Sequence, residues 1–144
     1  MSPRLHFVHL DAPDRVEGIA RLLLRRNRLR PRVLILCPEK ATAQRLDQRL
    51  WTIHPESFLA HALHGAPNID PAAQPILIAT SMARDNQPEV LINAGLEVPP
   101  ELDGFAHIVD FVDGWDPALT RTARERWRTY RSLGLDPQYL GRKR

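Results

Sequence analysis

The first 51 residues alternate twice between a strand pattern and a helix pattern. Residues 5–10 largely alternate apolar and polar side chains, and residues 32–37 form a continuous apolar run, as in strands buried on both faces. Residues 16–28 and 39–51 instead place apolar side chains at helical spacing. Because parallel strands need a crossover long enough to hold a helix, this order predicts an α/β fold with helices packed on a parallel sheet.

The second half of the chain predicts less regular structure. The prolines that follow residue 51 favour a loop, with a short strand at residues 57–60. Two apolar runs, at residues 76–79 and 89–93, are joined by a linker too short for a full helix, so they predict an antiparallel pair or a mixed sheet. A last strand at residues 106–112 leads into a basic helix that is expected to end the fold.

Length and composition fit one ordinary domain, since the chain has 144 residues and is 43% hydrophobic. We expect a single domain over residues 1–140 and a frayed tail at residues 141–144. Cys37 is the only cysteine, so no internal disulfide can form and a reducing interior is favoured. No signal peptide pattern and no apolar run of ~20 residues is found, so a soluble cytoplasmic protein with no membrane partner is expected.

Motifs for nucleotide, metal and nucleophile chemistry are missing from the sequence. The turn after the first strand, DAPDRVEG, has no GxGxxG, and no GxxxxGK[ST] loop occurs. His61 and His64 have no cysteine or carboxylate set beside them, which favours a pair lining a loop over a metal site. Ser57 and Ser81 lack the GxSxG elbow, and Cys37 lies in a predicted core strand. The sequence therefore predicts no cofactor, no metal and no catalytic residue.

The helix pattern over residues 118–133 is the strongest indication of binding. At ~100° per residue, four arginines fall within an arc of roughly 80°, and Trp127 lies at its border. The four are Arg121, Arg124, Arg128 and Arg131. A guanidinium fork matches a carboxylate, and an indole face accepts an apolar group. The pattern predicts a partner that carries a carboxylate and an apolar group together.

Two other sets of residues each admit two interpretations. Asp110 and Asp113 near the end of the last strand can form an acid and base pair, but Arg126 beside the apolar helix face needs a buried partner. We therefore favour a structural ion pair between Asp110 and Arg126. Trp51 and Phe58 either plug the end of the sheet or form an exposed patch that docks a helix or peptide of a partner.

Several segments resemble the chi subunit family of bacterial DNA polymerase III, whose members are accessory proteins of the clamp-loader complex. They are RVLILC, QRLDQRLW, PESFLAH, VDFV and, above all, ARERWRTYR, and they occur in the family's order over most of the chain. The resemblance implies a single-domain, Rossmann-like, three-layer fold with a mostly parallel sheet and no catalytic activity. It also implies two partners: the acidic, Phe-terminated tail of single-strand DNA-binding protein, and a psi subunit that links chi to the clamp loader.

The resemblance also implies which residues bind these partners. The residues assigned to the tail pocket are Val112, Arg121, Arg124, Trp127 and Arg128. Those assigned to the psi-type subunit are Trp51 and Phe58. Trp127 stands where the family often has Tyr, which preserves an aromatic wall, and Ala60 replaces a frequent Pro. Thr120 replaces a Lys, and Arg121 is expected to supply the missing cation.

The alternative function is direct, sequence-independent binding of nucleic acid by the arginine face. Only one tryptophan accompanies these arginines, whereas surfaces that track a single strand usually offer several stacking aromatics. We therefore favour the function that the resemblance implies, an adaptor that joins single-strand DNA-binding protein to the clamp loader, and we expect no direct DNA binding.

Overall fold

The computed structural model describes residues 3–26, 31–54 and 59–141, and all structural statements concern these ranges. The helices are α1 (Arg15–Arg26), α2 (Lys40–Thr52) and α3 (Pro117–Ser132). The strands are β1 (Arg4–Leu10), β2 (Val33–Leu36), β3 (His61–Leu63), β4 (Ile76–Ala79), β5 (Val90–Asn93), β6 (His107–Asp113) and β7 (Pro137–Leu140). The predicted α/β class is therefore confirmed, with the predicted helices ending within two residues of their expected bounds.

The described strands form one parallel sheet in the order β3-β4-β2-β5-β6-β1-β7. The expectation that β4 and β5 pair antiparallel or form a mixed sheet was wrong, because β2 lies between them and is parallel to both. Strands of four residues explain the short connection, since the chain has to run back only roughly 13 Å. Asn86 anchors the crossing segment by donating to the carbonyl of Val33 at 3.1 Å.

Two apolar cores, one on each face of the sheet, give the predicted three layers. One core joins the sheet to α1 and α2 through residues such as Ile19 and Leu46. The other joins it to α3 through Ala123 and Tyr130, and loop residues such as Phe105 extend it. Successive strand residues point to opposite faces, so the continuous apolar runs noted in the sequence serve both cores.

The basic helix α3 was expected to be the last element of the fold, but the chain continues into β7. Gly134, at φ +90°, ends α3 with a Schellman arrangement in which the amide of Leu135 donates to the carbonyl of Tyr130 at 3.1 Å. The apolar helix face therefore continues into buried Leu135, whereas Leu133 is exposed. The chain then adds β7 to the edge of the sheet beside β1. Four residues beginning with Pro137 show no strand alternation, which is why the pattern missed this strand.

Residues 57 and 58 of the predicted short strand at residues 57–60 lie outside the described ranges, and residues 59 and 60 precede β3, which begins at His61. Residues 142–144 of the predicted tail also lie outside them. Across the described ranges, no helix has the length and apolar character needed to cross a membrane.

Glu17 on α1 connects the two helices of one face. It accepts from Arg49 of α2 at 3.0 Å and from Arg21 at 2.9 Å. The hydrogen bond from Arg49, followed by that from Arg21, lowers the pKa of Glu17 from 4.5 to about 2 against the opposing effect of burial. The ionised carboxylate thus holds α1 against α2.

We expect this contact to make folding stability depend on pH in the acid range. A carboxyl group whose pKa is depressed on folding contributes stability above its unfolded pKa, 4.5, and loses it as the pH falls toward 2. Urea unfolding at a series of pH values between 4.5 and 2 gives the slope of the free energy of unfolding against pH. As the pH falls, Glu17→Gln should lose less free energy of unfolding than the unmutated chain. Glu125→Gln, an exposed change on α3, is the control and should leave the slope unaltered. Equal slopes for Glu17→Gln and the unmutated chain would contradict this account.

Candidate functional site

The helix that carries the arginine row starts at a strong cap. Asp116 is the N-cap residue, and its side chain accepts from the amides of Ala118 and Leu119 at 2.8 and 3.2 Å. Pro117 occupies the first helical position, where its missing N–H costs nothing. Local sequence therefore defines where α3 begins, directly after the turn that follows β6.

A buried polar network orients α3 on the sheet. Arg126 donates to both carboxylate oxygens of Asp110, at 3.1 and 3.2 Å, and both side chains are almost fully buried. Asp110 also accepts from the hydroxyl of Tyr130 at 2.7 Å and from the amide of Asn93 at 3.1 Å. Burial, and then the charge of Asp110, raises the pKa of Tyr130. These bonds fix the rotation of α3, because they join two of its residues to β6 and β5.

The rotation leaves a groove of about 490 Å³ between α3 and the β1 and β7 edge of the sheet. Its floor is formed by Phe7 and His9 of β1 and Val112 of β6. Trp127 closes one side, and its ring packs on Phe7 at a centroid distance of 5.2 Å. The remaining lining residues are Gly114, Thr120, Ala123, Arg124, Arg128 and Tyr139.

The groove is apolar at its base and cationic at its rim. Arg124 and Arg128 are exposed, one helical turn apart, and form no ion pair with any described carboxylate. No lining residue is acidic. Such a groove suits a ligand that combines a ring or alkyl group with negative charge, since the base removes apolar surface from water and guanidinium groups bind carboxylates.

Four of the five residues assigned to the tail pocket lie together at this groove: Val112, Arg124, Trp127 and Arg128. Arg121 is exposed on the same helix but does not line the groove. Thr120 lines it, and its hydroxyl donates to the carbonyl of Asp116 at 2.9 Å. The helix turns the side chain of residue 121 outward, so the groove's cations are Arg124 and Arg128.

Three lining residues that the sequence interpretation missed come from β1 and from its neighbour β7. Phe7 and His9 share a face of β1 with Leu5, a relation that the period of two would have shown. Tyr139 could not be assigned, because it depends on the unpredicted β7.

Trp51 lies near the end of α2 with 56% of its surface exposed, so it does not plug the sheet. Its ring packs against that of His61 in β3 at 4.5 Å, on the far edge of the sheet from the groove. Phe58, the other residue assigned to psi docking, lies outside the described ranges.

The two histidines and the cysteine considered for metal binding or catalysis make contacts within the fold. His61 is buried in β3 and faces Asp47 at 3.2 Å, whereas His64 faces Asp85 at 3.2 Å, so the two imidazoles have different partners. Within residues 3–26, 31–54 and 59–141, no three potential metal ligands converge. Burial raises the pKa of the Cys37 thiol to about 12, which leaves it without nucleophilic character near neutral pH.

Comparison with known proteins gives a match to one family. The model of the family DNA polymerase III chi subunit, HolC, covers residues 2–138. The chain belongs to the DNA polymerase III chi subunit family. Trp51 and every lining residue of the groove except Tyr139 lie inside the matched region of this chi family member.

Three relatives carry the name DNA polymerase III subunit chi. That of Haemophilus influenzae is 38% identical over 104 residues, which cover 72% of this chain and 70% of the relative. That of Escherichia coli is 32% identical over 139 residues, covering 90% and 92%. That of Pseudomonas aeruginosa is 29% identical over 128 residues, covering 89% and 87%. The resemblance noted in the sequence is thereby confirmed at the level of the chi family.

The ion pair that orients α3 in this chi family chain can be tested by truncation. We expect Arg126→Ala to reduce the free energy of unfolding by ~3–5 kcal/mol, because it leaves the Asp110 carboxylate buried without its cation. Arg131→Ala, an exposed change on the same helix, should stay within ~0.5 kcal/mol. Urea unfolding of the two variants measures the difference. Similar losses in both would mean that the buried pair does not hold the helix.

Proposed function

We propose that this protein is a non-catalytic adaptor of DNA polymerase III. It binds the acidic, Phe-terminated tail of single-strand DNA-binding protein in the groove beside α3. A psi-type subunit docks at Trp51 and Phe58 and links the chain to the clamp loader. Family membership supports a place in the polymerase assembly, since the relatives are named as subunits of it.

The observation that carries the tail-binding proposal is the composition of the groove. A terminal Phe presents an α-carboxylate and an aromatic ring on one residue, and the groove offers two guanidinium groups, which form no ion pair with a described carboxylate, beside Trp127 and Phe7. Acidic residues upstream in the tail would meet the exposed Arg121 on the same helix. Because such contacts are exposed to solvent, binding should be near micromolar, about 8 kcal/mol, and weakened by salt.

The docking proposal rests on the exposure of Trp51. Trp51 is more than half exposed near the end of α2, and tryptophan anchors are common at the centre of protein interfaces. Phe58 lies outside the described ranges, so its assignment to the same surface rests on the family resemblance alone.

The separation of the two surfaces suits an adaptor. The groove adjoins β1 and β7 at one edge of the sheet, and Trp51 packs on β3 at the other edge. Six strand spacings of ~4.8 Å put these edges roughly 29 Å apart. Both partners can therefore bind at once, and a change at one surface should leave the other intact.

The tail-binding proposal is tested by combining a protein variant with a modified peptide. We expect Arg124→Ala to cost ~2–4 kcal/mol of binding to an acidic peptide ending in Phe, because it removes the cation that holds the α-carboxylate. Amidation of the peptide's C-terminus should cost a similar amount with the unmutated chain and little more with the variant. Isothermal titration calorimetry of all four combinations measures this coupling.

Arg131→Ala is the matched control, since it removes one exposed arginine of the same helix outside the groove. It should change peptide affinity only slightly and leave the amidation effect unaltered. Full additivity of amidation and Arg124→Ala would mean that the carboxylate does not bind Arg124. Equally tight binding of bare single-stranded DNA, lost in the same variant, would favour the phosphate-binding alternative.

The psi docking proposal is tested with Trp51→Ala. We expect this variant to lose at least about tenfold in affinity for a psi-type subunit, because a central aromatic anchor is removed. Its affinity for the tail peptide should stay within about twofold, since distant sites are usually independent. Surface binding measurements with immobilised psi subunit and with peptide provide both values.

Phe58→Asp is a second variant for the same surface and should show the same pattern. Arg131→Ala should leave psi binding intact and serves as the control. Loss of both activities in Trp51→Ala, together with a large drop in the melting temperature, would contradict a docking role and show that the indole supports the fold.

A further inference from the structure

Tyr139 of β7 lines the groove beside Phe7 and is not among the residues that the resemblance assigns to tail binding. Tyr139 pairs in register with Phe7 across β7 and β1, so both side chains lie on the α3 face of the sheet. Its ring is 52% exposed, yet its hydroxyl is 2.8 Å from Nδ1 of His9. An aromatic ring on an edge strand is thus held in a defined place while one side of it stays open.

His9 is itself fixed from two directions. Its Nε2 lies 3.1 Å from the carboxylate of Asp11, and its Nδ1 lies 2.8 Å from the hydroxyl of Tyr139. Gly114 makes room for the imidazole, because a Cβ at that position would overlap the ring of His9. The ring of His9 meets that of Tyr139 edge-on, with centroids 6.2 Å apart.

The backbone that follows β7 also restrains Tyr139. A Cβ at Gly141 would lie 2.5 Å from Cε2 of the Tyr139 ring, so only glycine lets the chain pass this close. With its hydroxyl bound and its ring packed on one side, Tyr139 has little rotamer freedom to lose when a ligand arrives. A side chain ordered in advance binds at a lower entropic cost than one ordered by the ligand.

We propose that Tyr139 is the second aromatic wall of the groove and that His9 is its positioning residue. This inference rests on the proposed tail-binding function. The ring of the terminal Phe lies between Trp127 and Tyr139 above Phe7, while its carboxylate reaches Arg124 and Arg128. Tyr139 therefore contributes to selection of an aromatic terminal residue, and the arginines contribute to selection of the carboxylate.

The experiment compares two acidic peptides that differ only in a terminal Phe or Ala. We expect Tyr139→Ala to weaken the Phe-terminated peptide about fivefold to tenfold, because an aromatic contact and its buried area are lost. Binding of the Ala-terminated peptide should stay within about twofold. Tyr139→Phe keeps the ring but loses the hydroxyl that bonds to His9, and His9→Ala removes the other partner of that bond. Each of these variants should reduce the preference for the Phe-terminated peptide by a smaller factor than Tyr139→Ala does. Calorimetric titrations supply the affinity ratios.

Leu140→Ala is the matched control, because Leu140 is the next residue of β7, is 43% exposed and points to the opposite face. It should leave the preference for Phe unaltered, which separates ring contact from a general weakening of β7. If the unmutated chain prefers the Phe-terminated peptide and Tyr139→Ala keeps that preference in full, the inference fails while the proposed function stands. If the unmutated chain does not prefer the Phe-terminated peptide, both fail.

Discussion

The groove and the Trp51 surface, the two surfaces proposed to bind partners, depend on how helices are held to the sheet, and the bond between Arg126 and Asp110 is the most constraining of these contacts. A buried pair of opposite charges tolerates little change in geometry, since each group would otherwise be left without its partner in a medium of low polarity. Tyr130 and Asn93 satisfy the same carboxylate, so the helix is fixed in rotation as well as position. The apolar contacts of Ala123 and Tyr130 bring α3 to the sheet, and the polar network sets which face is left outward.

The open groove follows from an unequal covering of the two sheet faces. Two helices, α1 and α2, pack on one face, whereas α3 is the single long described helix on the other, and loop residues such as Ala83 and Phe105 cover the part near β4 and β5. The strip beside β1 and β7 is left without a helix over it, and there His9 and the buried Phe7 line the groove. The groove proposed for the peptide is therefore a strip of the sheet that no helix covers, and not an enclosed cavity.

Sequence patterns predicted most of the fold because caps and apolar spacing within each core element define that element. The cap Asp116 and the apolar spacing of Ala123 and Tyr130 define α3, and the need of Arg126 for a buried anion pointed to Asp110. Elements that depend on distant partners were not predictable. β7 exists because β1 offers it an edge, and β5 lies beside β2 because the crossing segment is anchored by Asn86. The groove mixes both kinds of residue, so its helix side was predicted and its Tyr139 side was not.

The sequence lacks a phosphate-binding loop, and a side chain of the protein occupies the place at the carboxyl ends of the strands where such a ligand would bind. Ligands of open parallel sheets bind where the connections of neighbouring strands leave toward opposite faces, here between β1, which leads to α1, and β6, which leads to α3. Arg15 fills this place, donating to the carbonyl of Gly95 at 2.6 Å and to the carboxylate of Asp113, with its guanidinium 5.5 Å from the Phe111 ring. The position that would hold a nucleotide is thus used to tie α1 to β6 and β5. The two proposed binding surfaces lie instead at the edges of the sheet, where a partner can reach the groove or Trp51 without displacing any part of the core.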